Sequence, residues 1–177
     1  MSKIKRLLES YSKFIAVPWR DDAAAAQRVI FCVYSETDEL HLRASIDEFE
    51  IATSQTGHKW AVFDLTDIFP AWLGTQRYAE SYFQKPHLLP NLMPKLLLYI
   101  VEEFSKFLAQ QVVALQGVGS LFGFLKVKEV VEKLAPLVSG RLVVLFPGSY
   151  ENNNYRLLDG YDGWNYLAVP LTADKKF

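Results

Sequence analysis

The sequence predicts an α/β fold of three layers, a mostly parallel sheet with helices on both faces, Rossmann-like in the broad sense, and three observations predict it. Residues 29–33, 60–63, 112–115 and 142–146 are short and almost wholly apolar, the composition of strands buried on both faces. Segments with apolar residues at helical spacing separate them. Parallel neighbours need a crossover between them, and a helix is the usual way to make it.

Taken in order, Ile4, Leu7, Leu8, Tyr11, Phe14 and Ile15 mark a first helix, with Ser2 placed to cap it and Pro18 forbidding its continuation. Residues 21–27 form a polar, alanine-rich connector to the first strand. Ser35 followed by Asp38 resembles a capping box, opening a second helix with Leu42, Ile46, Phe49 and Ala52 on one face and Arg43, Asp47 and Glu50 on the other. Gly57 ends it. After the strand at 60–63, residues 68–94 carry aromatics and prolines without a sheet pattern, which reads as an insertion of short helices. Leu97, Ile100, Val101, Phe104 and Leu108 restore helical periodicity, and the third strand follows. A glycine-bearing turn leads to a helix of Val127, Val130, Val131 and Leu134, closed by Pro136 and Gly140. Beyond the fourth strand the alternation stops. Residues 156–158 and 166–169 flank a glycine-containing stretch from Asp159 to Gly163, which predicts a C-terminal hairpin.

With 177 residues, one domain spanning 1–177 is expected. The chain carries 19 basic and 20 acidic residues and no basic run longer than two, so no bulk field draws it to a polyanion, and direct nucleic-acid binding is not expected. The single cysteine, Cys32, lies inside an apolar strand and reads as a buried thiol in a reducing compartment. The amino-terminal segment lacks the unbroken apolar run of a signal peptide, and no apolar stretch reaches the ~20 residues of a membrane span. The expectation is a cytoplasmic protein.

Three histidines, His41, His58 and His87, fall in different elements and share no metal-ligand spacing, so neither metal nor cofactor is expected. The most enzyme-like stretch is Gly117, Gly119, Ser120 and Gly123, after a strand and before a helix, where backbone amides can cradle phosphate. Position 122 is Phe where a dinucleotide fingerprint wants glycine. Phe124 and Leu125 stand where a phosphate loop wants Lys and Ser or Thr. A tight turn is therefore expected, with Leu121, Phe122 and Phe124 packed into the core and Gly119→Ala damaging folding; a phosphate site at Gly117, Gly119 and Ser120 is the alternative. Asp64 at a strand end imitates a magnesium-binding aspartate, but without a phosphate loop the expected duty of this region is capping of the following turn through Thr66 and Asp67. Ser120 sits in no nucleophile elbow, and no histidine follows it.

One further segment stands out. Tyr150, Glu151, Asn152, Asn153, Asn154, Tyr155 and Arg156, with Trp164 beyond, combine aromatic area with amides and a guanidinium, the residue types that anchor protein interfaces. It is read as a contact loop, with Trp72, Tyr78 and Tyr82 as the next candidate surface.

These strings also carry a resemblance. RVIF at 28–31, GVGSLF at 117–122, FPG at 146–148, YENNNYRLLD at 150–159 and DGWNYLAVP at 162–170 resemble the BrxB family, over a stretch from near Met1 to about Thr172. The resemblance implies a component of a bacterial BREX phage-exclusion system. It implies as partners the system's PglZ-like phosphatase-family protein, BrxC-like ATPase or PglX-like methyltransferase. The family brings no catalytic residue with an assigned role, so none is carried over. The expectation is a non-catalytic adaptor or scaffold subunit. The alternatives are a nucleotide- or phosphate-responsive regulatory subunit and a weak DNA-binding subunit that acts only within the complex.

Overall fold

The structure, a computed structural model, describes residues 1–107, 111–160 and 163–174. Its centre is a sheet in the order β2-β3-β4-β1-β6, with every neighbouring pair along that path parallel. The strands are β1 (Val29–Tyr34), β2 (Trp60–Asp64), β3 (Val112–Gln116), β4 (Arg141–Glu151) and β6 (Val169–Thr172), while β5 (Asn154–Leu157) pairs antiparallel with the far half of β4.

Alternation along each strand sends side chains to two cores. Phe31, Val33, Val113, Leu115, Leu142, Val144 and Phe146 face α4 (Ile68–Gly74), α6 (Met93–Ser105) and α7 (Val127–Leu134). Ile30, Cys32, Val112, Ala114, Val143 and Leu145 face α1 (Lys3–Ile15), α2 (Glu39–Ala44) and α3 (Ile46–Ser54). The expected three layers are present.

The periodicity that marks α1 buries Ile4, Leu7, Tyr11 and Ile15, and the Ser2 hydroxyl accepts from the Lys5 amide at 3.2 Å to start the helix. Inside this core the Tyr11 and Thr53 hydroxyls lie 2.6 Å apart, joining α1 to α3. Residues 68–94 fold as short helices, α4, α5 (Ala79–Gln84) and the 3-10 segment Pro86–Leu92, which runs directly into α6. Leu108, expected on the α6 face, lies outside the described residues.

Two expectations are corrected. The single helix expected after β1 is broken. Ser35 opens a 3-10 turn, Glu36–Asp38, by accepting from the Thr37 amide rather than closing a box with Asp38. At Ser45 the backbone leaves helical geometry (φ −104°, ψ 6°) and its amide turns to Leu42 O, dividing α2 from α3. The C-terminal hairpin exists, but its turn comes earlier than expected. β4 runs on past Pro147, and Asn152 and Asn153, at φ 51° and 64°, form a two-residue turn into β5, the primed turn that matches strand twist and that asparagine tolerates. Of the turn expected from Asp159 to Gly163, residues 161 and 162 lie outside the described residues; among the described residues a bridge pairs Tyr155 with Trp164, and β6 joins the opposite edge of the sheet beside β1.

Candidate functional site

In open α/β sheets ligands meet the protein beyond the carboxyl ends of the strands. Here that position holds a cleft of about 240 Å³ lined by Glu36, Glu39, Arg43, Gly117, Gly119, Ser120, Pro147 and Leu158. The ends of β1, β3 and β4 supply its base. A larger groove of about 490 Å³ adjoins it, between the start of α1, the end of β6 and residues 148–151 of β4.

Helical spacing puts Glu39 four residues ahead of Arg43, and Arg43 Nε donates to Glu39 Oε1 at 2.7 Å. Its Nη2 donates to Thr66 Oγ1 at 2.8 Å, and its Nη1 lies 3.8 Å from Asp64 Oδ2. Asp64 in turn accepts from the Thr66 amide at 2.9 Å and from Gln116 Nε2 at 3.0 Å. The turn is thus held by Thr66 against Asp64, whereas Asp67, expected to cap it with Thr66, makes no side-chain cap hydrogen bond. Tyr34 donates to Glu39 Oε2. Burial first, and then that hydrogen bond, push the Tyr34 hydroxyl far above the ordinary phenol range, so it remains a donor. Partial burial works to lower the Arg43 pKa. The hydrogen bond to Glu39 and the charges of Glu39 and Asp64 outweigh it, so the guanidinium is held above its usual value. The outcome is a closed network linking β1, α2, β2 and β3.

Gly117 shows why this corner needs glycine. Its φ is 74°, and a Cβ there would overlap Thr66 Oγ1 and come within 2.9 Å of Asp64 Oδ1. Gly119 is different. It has no positive φ, and a Cβ would meet Pro147 Cγ at 3.4 Å and Leu158 Cδ2 at 3.5 Å. The damage expected of Gly119→Ala therefore belongs to Gly117. The Ser120 amide turns back to Gly117 O at 3.0 Å, and the Glu36 and Glu39 carboxylates share the cleft with these residues, a poor lining for an anion. Leu121 is buried as expected, but Phe122 and Phe124 are 47% and 41% exposed, Phe124 leaning on Phe69. The 3-10 turn Val118–Leu121 is too short to bring both rings inward.

The expected contact loop is an ordered ribbon, and its alternation sorts the candidate residues. Tyr155 is fully buried, with Phe31, Phe146 and Trp164 rings at 4.4, 5.8 and 5.1 Å. Tyr150 packs on Tyr155 at 4.6 Å. Tyr155 and Trp164 therefore belong to the interior and its margin. Glu151, Asn152, Asn153, Asn154 and Arg156 are exposed. Tyr150 OH donates to Asn153 Oδ1 at 3.2 Å and braces the turn. Of the second candidate surface, Trp72 is in the core while Tyr78 is exposed.

Sequence reasoning did not single out Glu36, Glu39 or Gln116, and it placed Arg43 only on an outer helix face. The Glu39 to Arg43 spacing was a local signal. Their meeting with Asp64 and Gln116 depends on strand order. Among the described residues no group of three or more His, Cys, Asp or Glu side chains is placed to hold a metal ion, and no helix is long and apolar enough to cross a membrane.

Comparison with known proteins places the chain in a family. The model of the family described as BREX protein BrxB covers residues 63–170, from the end of β2 to the start of β6. No curated protein and no solved structure matches.

Proposed function

The chain belongs to the BrxB family and is a component of the BREX phage-resistance system; from that premise we propose that it is a protein-binding adaptor subunit, without chemistry of its own, that docks other BREX components through the β4–β5 hairpin. The observation that carries this reading is the pre-ordered ribbon. Its register places Ser149 opposite Arg156 and Glu151 opposite Asn154, so these four share one face, while Tyr155 and Leu157 point into the core. The base is locked by aromatic packing and the tip by an asparagine turn. The outward polar groups then reach a partner with little ordering cost.

The cleft supports the non-catalytic part of the reading. Arg43, Glu39, Asp64, Thr66 and Gln116 satisfy one another, which is the work of a structural brace.

Affinity purification of tagged protein from cells carrying the complete system tests the proposal. Arg156→Ala and Glu151→Ala are expected to weaken partner recovery, each by ~1–3 kcal/mol if the residue anchors the interface, with thermal unfolding of the isolated chain unchanged. Full recovery of every partner by both folded variants would place the contact surface elsewhere. Tyr150→Ala is a control for packing and is expected to lower the melting temperature.

A further inference from the structure

The opposite end of the sheet holds a second cluster. Parallel register sets Trp60 beside Val112 and Val112 beside Arg141. Carrying the β1–β4 register back one step from Val29 and Leu142 sets Arg28 beside Arg141. Neighbours across a sheet point to the same face, so Trp60, Arg141 and Arg28 form a row across the amino ends of β2, β4 and β1, on the side covered by α1 and α3. Trp19, in the connection after α1, lies over it. The Arg141 guanidinium carbon is 4.6 Å from the Trp19 ring centroid, and the His58 ring stacks on Trp19 at 3.5 Å with 9° between planes.

The row is rich in donors and poor in acceptors. Trp19 Nε1, Arg28 Nε, His58 Nδ1 and Trp60 Nε1 are buried without a hydrogen-bond partner, four of the five such atoms among the described residues. Arg141 is only 8% exposed, yet among the described residues its guanidinium makes one hydrogen bond, to Gly140 O at 3.0 Å. Arg28 donates to Ala23 O at 2.9 Å. Among the described residues neither arginine has a carboxylate partner. Burial, and then the neighbouring Arg28 charge, hold the Arg141 pKa below its usual value, the direction expected of two like charges with no counter-ion between them.

Arg141 is buried and Arg28 half-buried beside it, and a buried charge in a folded protein is paired or bound to an ion. We propose that this row is a binding site for a phosphate-class oxyanion, held by the Arg28 and Arg141 guanidinium groups. Two guanidinium forks supply two positive charges and paired N–H groups that fit tetrahedral phosphate oxygens. The indole N–H groups are donors only and add no competing acceptor. A water molecule can satisfy a donor but not the charge. This site is separate from the hairpin surface, and the adaptor reading stands or falls without it.

The test is a titration of the full chain with inorganic phosphate and, in a second arm, with ADP, each against chloride at equal ionic strength. The readouts are melting temperature and tryptophan fluorescence. Phosphate is expected to raise the melting temperature saturably and to change the fluorescence at the same concentrations, the latter change being lost in Trp19→Phe. Arg28→Gln is expected to weaken the affinity at least tenfold, while in chloride it melts at or above the wild-type temperature because one of two unpaired like charges is gone. Binding of phosphate alone identifies the free anion as the ligand, and tighter binding of ADP identifies a phosphate carried by a nucleotide. If wild-type protein shows no saturable response to either probe into the tens of millimolar, or if Arg28→Gln responds as wild type does, the proposal is overturned. A wild-type titration alone suffices should the variant fail to fold.

Discussion

At the carboxyl ends of the strands, Arg43 sits among Glu39, Asp64 and Thr66, and each group satisfies another. At the amino ends, Arg28 and Arg141 sit among Trp19, His58 and Trp60, and Trp19 Nε1, Arg28 Nε, His58 Nδ1 and Trp60 Nε1 are buried without a hydrogen-bond partner. The first network is assembled largely from residues close in sequence, Glu39 with Arg43 and Asp64 with Thr66, so local geometry supplies both members of each pair. The second is brought together from positions 19, 28, 58, 60 and 141 by strand register. The contrast separates two kinds of polar cluster. One completes itself and braces the fold; the other is complete only with something added.

Cys32 lies midway along β1, between the two ends, and reports on both. It is fully buried, and burial pushes its thiol far above the ordinary range. Labelling of the native protein by a thiol reagent is expected to be slower than in denaturant by ~1,000-fold or more, because only opening exposes the thiolate. Rapid native labelling would show that one end of the sheet opens without the other.

Next in size are two glycines, one at each end. A Cβ at Gly140 would overlap the Gln111 carbonyl, and one at Gly117 would overlap Thr66. Alanine at either site is expected to cost ~3 kcal/mol or more in urea unfolding, as backbone clashes and incompatible φ do. A much smaller loss for Gly117→Ala would mean the carboxyl-end corner is looser than its hydrogen bonds imply. Arg43→Ala is expected to cost ~1 kcal/mol, since its side chain is 30% exposed and solvent screens the pairs. That loss should shrink in high salt. Gly119→Ala should fall within ~0.5 kcal/mol of wild type, and a larger loss would show that Pro147 and Leu158 cannot yield.

Much of the fold was legible from periodicity alone. Ile4, Leu7, Tyr11 and Ile15, and Val127, Val130, Val131 and Leu134, are spaced as buried helix faces and are buried. The four apolar runs became β1 to β4. What escaped depended on competition between similar signals or on distance. Asn152–Asn153 and the glycines at 160 and 163 both advertise a turn, and the asparagines took it because β4 continues past Pro147. Tyr155 resembled an interface residue by type, yet alternation in β5 drives it into the core. Ser45 interrupts a helix whose hydrophobic spacing runs on across the break. The pairing of Arg43 with Thr66 and Asp64, and the row from Trp60 to Arg28, follow from strand order, which no local pattern encodes.

The place of β1 in that order has a consequence for synthesis. Both of its neighbours, β4 and β6, are made about a hundred residues or more after it. While the ribosome is still translating the middle of the chain, Val29–Tyr34 has emerged with no strand to pair with and six side chains destined for the interior. An unpaired apolar strand is a template for pairing with the wrong chain. A segment wholly buried in the finished molecule is therefore exposed during its manufacture, and nascent chains halted before Arg141 should be the form that chaperones hold.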